Sequence, residues 1–226
     1  RDEIRHDCNM QLETVRERTV RTSHRRFVMT RSYVFLVSLV LIGLMSVQPS
    51  TEAVRQSDSQ WTTLFDGSSL DGWNVLGEGT WELVDGAVQG DGGPGFLVTS
   101  ESYGDFQLTF EYWIEADTSN SGVFIRCADP RNVGADSSYE VNIADTHDNP
   151  ENRTGSIVGV TGPAQTVSTA GKWNTYDITA NGSSLTVILN GITTADAQDN
   201  RHTSGPIALQ HRAGLVKFRN VRIRLF

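Results

Sequence analysis

The nine residues Phe106-Gln-Leu-Thr-Phe-Glu-Tyr-Trp-Ile114 put an apolar side chain at every second position, with Gln107, Thr109, Glu111 and Trp113 between. A helix with that period would scatter its apolar groups around the axis, whereas a strand collects them on one face. The pattern recurs along the chain. Val123, Ile125 and Cys127 alternate with Phe124 and Arg126, and Tyr139, Val141 and Ile143 alternate with Glu140 and Asn142. Further strands are predicted at 175–180, 185–189, 207–212 and 216–225. Asp85-Gly86 and Asn190-Gly191 are the dipeptides favoured in two-residue hairpins. No helical period survives for ten residues after Trp61. About ten short strands joined by turns predict an all-β domain of antiparallel sheets packed as a sandwich or jelly roll.

Two stretches break the rhythm. Gly90–Gly95 (GDGGPG) reads as a flexible loop, and 144–168 as a long polar connection suited to form a rim or lid over a binding face.

The N-terminal part is unlike the rest. Residues 34–45 form the longest apolar run; it follows Arg31 and precedes the small residues Ser50, Thr51 and Ala53. This is the layout of a secretory signal at 29–53, cleaved after Thr51-Glu52-Ala53, and the run is short for a bilayer span of roughly 20 residues. Residues 1–28 are expected to be disordered upstream sequence or an extended n-region, and 54–60 a linker. The folded domain is thus expected at 61–226, secreted, periplasmic or on the cell surface, with no membrane span after cleavage.

Charge narrows the partner. Residues 54–226 hold eleven Lys and Arg against 21 Asp and Glu, a net charge of −10, and the cations look scattered along the sequence. Nucleic acid is excluded as a partner on this ground, because phosphate contacts need a basic stripe. Cys127 is the one cysteine after the leader, so the domain holds no internal disulfide; the thiol is expected to be buried and inert. Asp145-Thr-His147-Asp148 is either a solvated acidic loop or an oxygen-rich cation site. No cofactor motif occurs, and the oligomeric state is left open.

Several strands carry bulky polar groups where a bland solvated face would suffice: Glu111, Arg126, Glu140 with Asn142, and Gln210 with Arg212. If these strands neighbour one another, the groups converge beside Trp113 and Phe124, a combination suited to carbohydrate. The alternative is an ordinary solvated face with cross-strand pairs such as Glu111–Arg126.

The stretches LFDGSSLDGW (64–73), WELVDGAVQG (81–90), YGDFQLTFEYWI (103–114), NSGVFIR (120–126), YEVNIAD (139–145), KWNTYDI (172–178), LNG (189–191) and GPIALQHRAGLVKFRNVRI (205–223) occur in this order. Together they resemble the 3-keto-disaccharide hydrolase domain family over 61–226. The resemblance implies a concanavalin/laminin G-like jelly roll and a sugar substrate. It implies a concave sheet holding Glu140, Asp145, Arg126 and Gln210. Where members often read Leu-Gln-Asp-His-Gly, this chain has Leu209-Gln210-His211-Arg212-Ala213, so a guanidinium stands at the His position. Val158 replaces a common Tyr and Asn142 a common Gln. From the strand pattern and the resemblance together, the catalytic set is Glu140, Arg126, Gln210 and His211, with Glu111, Asn142, Asp145, Arg212 and Trp113 binding substrate and no metal ligand. The implied activity is hydrolysis or elimination at a glycosidic bond next to a ketone. The competing reading is a carbohydrate-binding module that has kept the sandwich without catalysis.

Overall fold

A computed structural model describes residues 60–226; the expected leader and most of the expected linker lie outside them. Eleven strands occur among the described residues: β1 (Thr62–Phe65), β2 (Trp73–Val84), β3 (Ala87–Thr99), β4 (Phe106–Ile114), β5 (Ser121–Ile125), β6 (Tyr139–Ile143), β7 (Trp173–Asn181), β8 (Ser184–Leu189), β9 (Ile192–Gln198), β10 (Ala208–His211) and β11 (Val216–Leu225). One short 3-10 turn, Pro150–Asn152, interrupts the 144–168 connection. No helix of the described residues is long and apolar enough to cross a membrane.

All pairing is antiparallel, in the order β6-β5-β10-β3-β11-β4-β7-β8-β9, with β1 on β11 and β2 on β3. The two halves meet at β3. Its first half (88–90) pairs with β11, and its second half (95–98) pairs with β10. The chain therefore passes from one sheet to the other within a single strand. The glycines expected to form a loop are that crossing point. Gly92 has a φ of +79° and Gly77 on the partner strand +89°, with a bulge between Gly77 and Gly79. A Cβ on Gly95 would lie 2.7 Å from the Gly79 nitrogen, so only glycine lets the two backbones meet there. Sequence alternation cannot register a bent strand in which four of the six residues 90–95 are glycine.

The predicted inward faces hold except at Cys127. Phe106, Leu108, Phe110, Tyr112 and Ile114 are at most 1% exposed and join Val123, Ile125, Tyr139, Val141, Tyr176 and Val187 in one core. Both halves of the strand order contribute to it, and the Tyr176 hydroxyl donates to the Asn142 carbonyl at 2.9 Å across the gap. The domain is a β-sandwich of the jelly-roll class. Both predicted hairpins form, with Asp85/Gly86 at φ +53° and +76° and Asn190/Gly191 at +51° and +81°.

Candidate functional site

On the outer face of β6, β5 and β10 lies a second, smaller apolar group: Val98, Phe124, Cys127 and Ala208, with Leu76, Phe96 and Val133 packed on it. Burial pushes the Cys127 thiol up to about 12, which makes it unreactive there. This group floors a cleft of about 380 Å³. The sheet supplies Glu140 and Asn142 from β6, Phe124 from β5, Gln210 from β10 and Phe96 from β3. Arg212 follows β10, and His147, Asn152 and Val158 come from the connection after β6. That connection is a rim, as expected from its length.

Among the described residues, Glu140 is the one acidic side chain lining the cleft. Its strand partner is Phe124, and Gly122 lies opposite Asn142. A Cβ at Gly122 would stand 3.2 Å from Glu140 Oε1, so the glycine leaves the room the carboxylate occupies. Burial raises the Glu140 pKa from 4.5 to about 7, and the nearby positive charge of Arg212 offsets only part of this. No ion pair within 4 Å neutralises it among the described residues. Such a carboxylate is a base poised near neutral pH. Beside it, Gln210 is 7% exposed and its Oε1 has no hydrogen-bond partner. That oxygen is shielded from solvent, so it meets a ligand hydroxyl only when the amide turns toward the cleft its residue lines.

Not all of the expected side chains meet here. Glu140, Asn142, Gln210 and Arg212 line the cleft; Glu111, Trp113, Arg126, Asp145 and His211 do not. Glu111 and Trp113 sit on β4, which belongs to the other sheet and turns its polar face away from the cleft. Glu111 accepts from Arg219 Nε at 2.8 Å and from Asn220 Nδ2 at 2.8 Å, instead of pairing with Arg126. Burial would raise its carboxyl, but hydrogen bonds from Asn220 and Arg219 and the charges of Arg219 and Arg222 outweigh it and keep the pKa below the ordinary range.

Arg126 follows the last residue of β5 and has a φ of +53°. That left-handed step reverses the alternation: Arg126 turns away from the cleft, and Cys127 joins the cleft-side group in its place. The guanidinium is fully buried and donates to the carbonyls of Gly104 (2.8 Å), Gly182 (2.8 Å) and His202 (3.2 Å) and to Asp105 Oδ1 (2.8 Å). Four of its five N–H donors are used in holding loops together.

Asp145 is likewise engaged. It accepts from the Thr154 and Thr169 hydroxyls at 2.6 and 2.8 Å and from the Thr169 amide at 2.6 Å, which pins both ends of the rim. The Asn142 amide is half committed: it donates to the Asn152 carbonyl and accepts from the Ile143 amide.

The exchanged pair after Gln210 resolves by alternation. Ile207 and Leu209 face the core while Ala208 and Gln210 face the cleft. No bulge interrupts β10, so His211 continues the core side and Arg212 the cleft side. His211 is 1% exposed, with its ring nitrogens 2.9 Å from the Gly93 carbonyl and 2.8 Å from that of Gly214. It ties the β3 crossing to the turn before β11. The sequence reading did not single out Phe96, Asn120 and Asn152 as cleft residues, because they come from three separate segments that alternation does not relate.

The comparisons agree with this architecture. Residues 60–224 match the family described as the 3-keto-alpha-glucoside-1,2-lyase-like domain. No curated protein sequence matches the chain. Two proteins of Parabacteroides distasonis ATCC 8503, named as glycosyl hydrolases, share the fold with TM-scores of 0.65 and identities of 27% and 22%. Each pairs with 74% of this chain, which spans 100% and 94% of the two structures. A carbohydrate binding module of Bacillus subtilis, 21% identical, aligns with a TM-score of 0.54 over 68% of this chain and 95% of its own.

Proposed function

Because this chain belongs to the 3-keto-alpha-glucoside-1,2-lyase-like domain family, we propose that it cleaves the glycosidic bond of 3-keto sugars outside the cytoplasm, with Glu140 as the base. The observation that carries the reading is a carboxylate raised to about 7 in a cleft that also holds an unpartnered buried acceptor.

The chemistry follows from the substrate. A ketone at C3 acidifies the hydrogen on C2. Glu140 takes that proton, and the C–H electron pair becomes the C2–C3 double bond of an enolate whose negative charge rests on the C3 oxygen. When the C3 carbonyl re-forms, the pair moves to C1–C2 and the C1–O bond breaks toward the leaving sugar. The leaving oxygen takes up the proton, and water adding across the C1–C2 double bond completes a net hydrolysis. One base and one oxyanion stabiliser suffice, in contrast to the two flanking carboxylates of ordinary glycosidases. Arg212, exposed in the cleft, stabilises the enolate oxygen. A guanidinium stays charged and offers no lone pair, so it serves this role and cannot serve as the base. Gln210 accepts from a sugar hydroxyl. Phe96 and Phe124 give the apolar face of the ring a surface.

Wild-type chain and Glu140→Gln are incubated with a 3-keto-disaccharide and its unoxidised parent. The reading expects cleavage of the keto form alone, abolished in the variant; undiminished turnover by the variant removes Glu140 from the mechanism. Arg212 at a position where relatives often carry His favours a second reading, a binding module without catalysis. Saturable sugar binding without turnover by the wild type would decide for it.

A further inference from the structure

β11 holds four of the eleven Lys and Arg residues of 54–226: Lys217, Arg219, Arg222 and Arg224. Strict alternation would place the first two on one face and the last two on the other. A bulge prevents this. The register with β4 shifts between Arg219 and Arg222, and Asn220 has a φ of +55°. Val216, Phe218, Val221 and Ile223 all reach the core as a result, and all four cations point outward from the sheet that lies across the sandwich from the cleft.

Three tryptophans hold this row. Lys217 Nζ lies 5.3 Å from the ring centre of Trp113, the Arg219 guanidinium 3.9 Å from Trp173, and those of Arg222 and Arg224 5.7 and 5.3 Å from Trp61. An indole face orients a cation without cancelling its charge. Among the described residues only Arg219 of the four meets a carboxylate, Glu111. Asp177 on β7 and Glu82 on β2 flank the row from strands that do not pair with β11. At about 3.3 Å per residue the row spans roughly 20 Å, the length of a short oligosaccharide.

We propose that the outer face of β11 is a second carbohydrate site, for a linear acidic polysaccharide bearing about one carboxylate per sugar. Lys217 and Arg224 are unpaired with any carboxylate among the described residues, and Arg222 feels Glu111 only at longer range; such cations in line match sparse, regularly spaced anions. A denser polyanion such as nucleic acid would meet the flanking carboxylates and the −10 charge of 54–226. The site does not depend on what the cleft does.

The test is affinity electrophoresis of the full chain through gels containing polygalacturonate, neutral dextran or single-stranded DNA. The proposal expects retardation by polygalacturonate at low salt, lost near 0.5 M NaCl, where screening confines charge interactions to roughly a few Å. It expects a drop in affinity of about tenfold or more in Lys217→Gln/Arg222→Gln/Arg224→Gln. The double variant Lys217→Gln/Arg222→Gln, which leaves Arg224 and its bond to Gln107 intact, should lose an intermediate amount. Matching melting temperatures establish that the variants are folded. Absence of retardation, equal retardation by dextran, or unchanged retardation of both variants overturns the site. Tighter binding of the DNA overturns the choice of partner.

Discussion

Replacing Glu140 by Gln is expected to stabilise the domain above pH 7 while removing its activity. Burial raises the carboxyl from 4.5 to about 7. Below pH 4.5 the group is protonated in both the folded and unfolded chain and contributes nothing. Between 4.5 and 7 the folded chain binds the extra proton, so stability falls as pH rises. At about 1.36 kcal/mol per pH unit, the charged form above pH 7 costs about 3 kcal/mol. Gln has nearly the shape of the protonated acid and never carries that charge. The variant should therefore match the wild type at pH 4 and exceed it by about 3 kcal/mol at pH 8, or by roughly 6–10 °C in Tm for a domain of this size. Paired thermal melts at both pH values measure this, and every other titrating group cancels between the two proteins. An equal shift at both pH values would refute the desolvation argument. A loss at pH 8 would show that the carboxylate is held by a favourable partner.

Four further outcomes follow from the same geometry. Activity on a 3-keto-glucoside should rise with pH through about 7, because the base must be ionised; a rate flat from pH 5 to 9 would contradict the shift. Gln210→Leu should leave stability unchanged or slightly higher in urea unfolding, since it removes an unpartnered buried oxygen, and should raise KM more than it lowers kcat. Arg126→Met should cost about 3–5 kcal/mol by strand-loop unravelling, since three carbonyls lose their donor and Asp105 one of two; urea unfolding measures it, and a folded, stable variant with lost turnover would restore Arg126 to the site. Gly122→Ala should lower kcat with little change in Tm, because its methyl group lands 3.2 Å from the Glu140 carboxylate.

What alternation made legible was which side of each strand is apolar. It placed Phe106, Phe110, Tyr112, Val123, Tyr139 and Leu209 in the core, and Glu140 and Gln210 on an outer face. It could not say that β4 lies in the opposite sheet, so Glu111 and Trp113 were expected beside groups from which the whole sandwich separates them. Two left-handed residues escaped it for a different reason. The steps at Arg126 and Asn220 each shift the alternation, and neither residue type demands that conformation. One such step takes Arg126 away from the expected site; the other gathers the cations that look scattered along the sequence. The GDGGPG stretch is similar: its glycines read as a loop, although they serve a strand bent between two sheets.

The account rests on Glu140 removing the C2 proton of a 3-keto sugar. The most direct measurement is the rate of cleavage of a 3-keto-glucoside carrying deuterium at C2, compared with the protio form, in the wild type and in Glu140→Gln. The account predicts several-fold slower cleavage of the deuterated substrate by the wild type, and no cleavage of either form by the variant. Equal rates for the two substrates, with the variant still active, would contradict it.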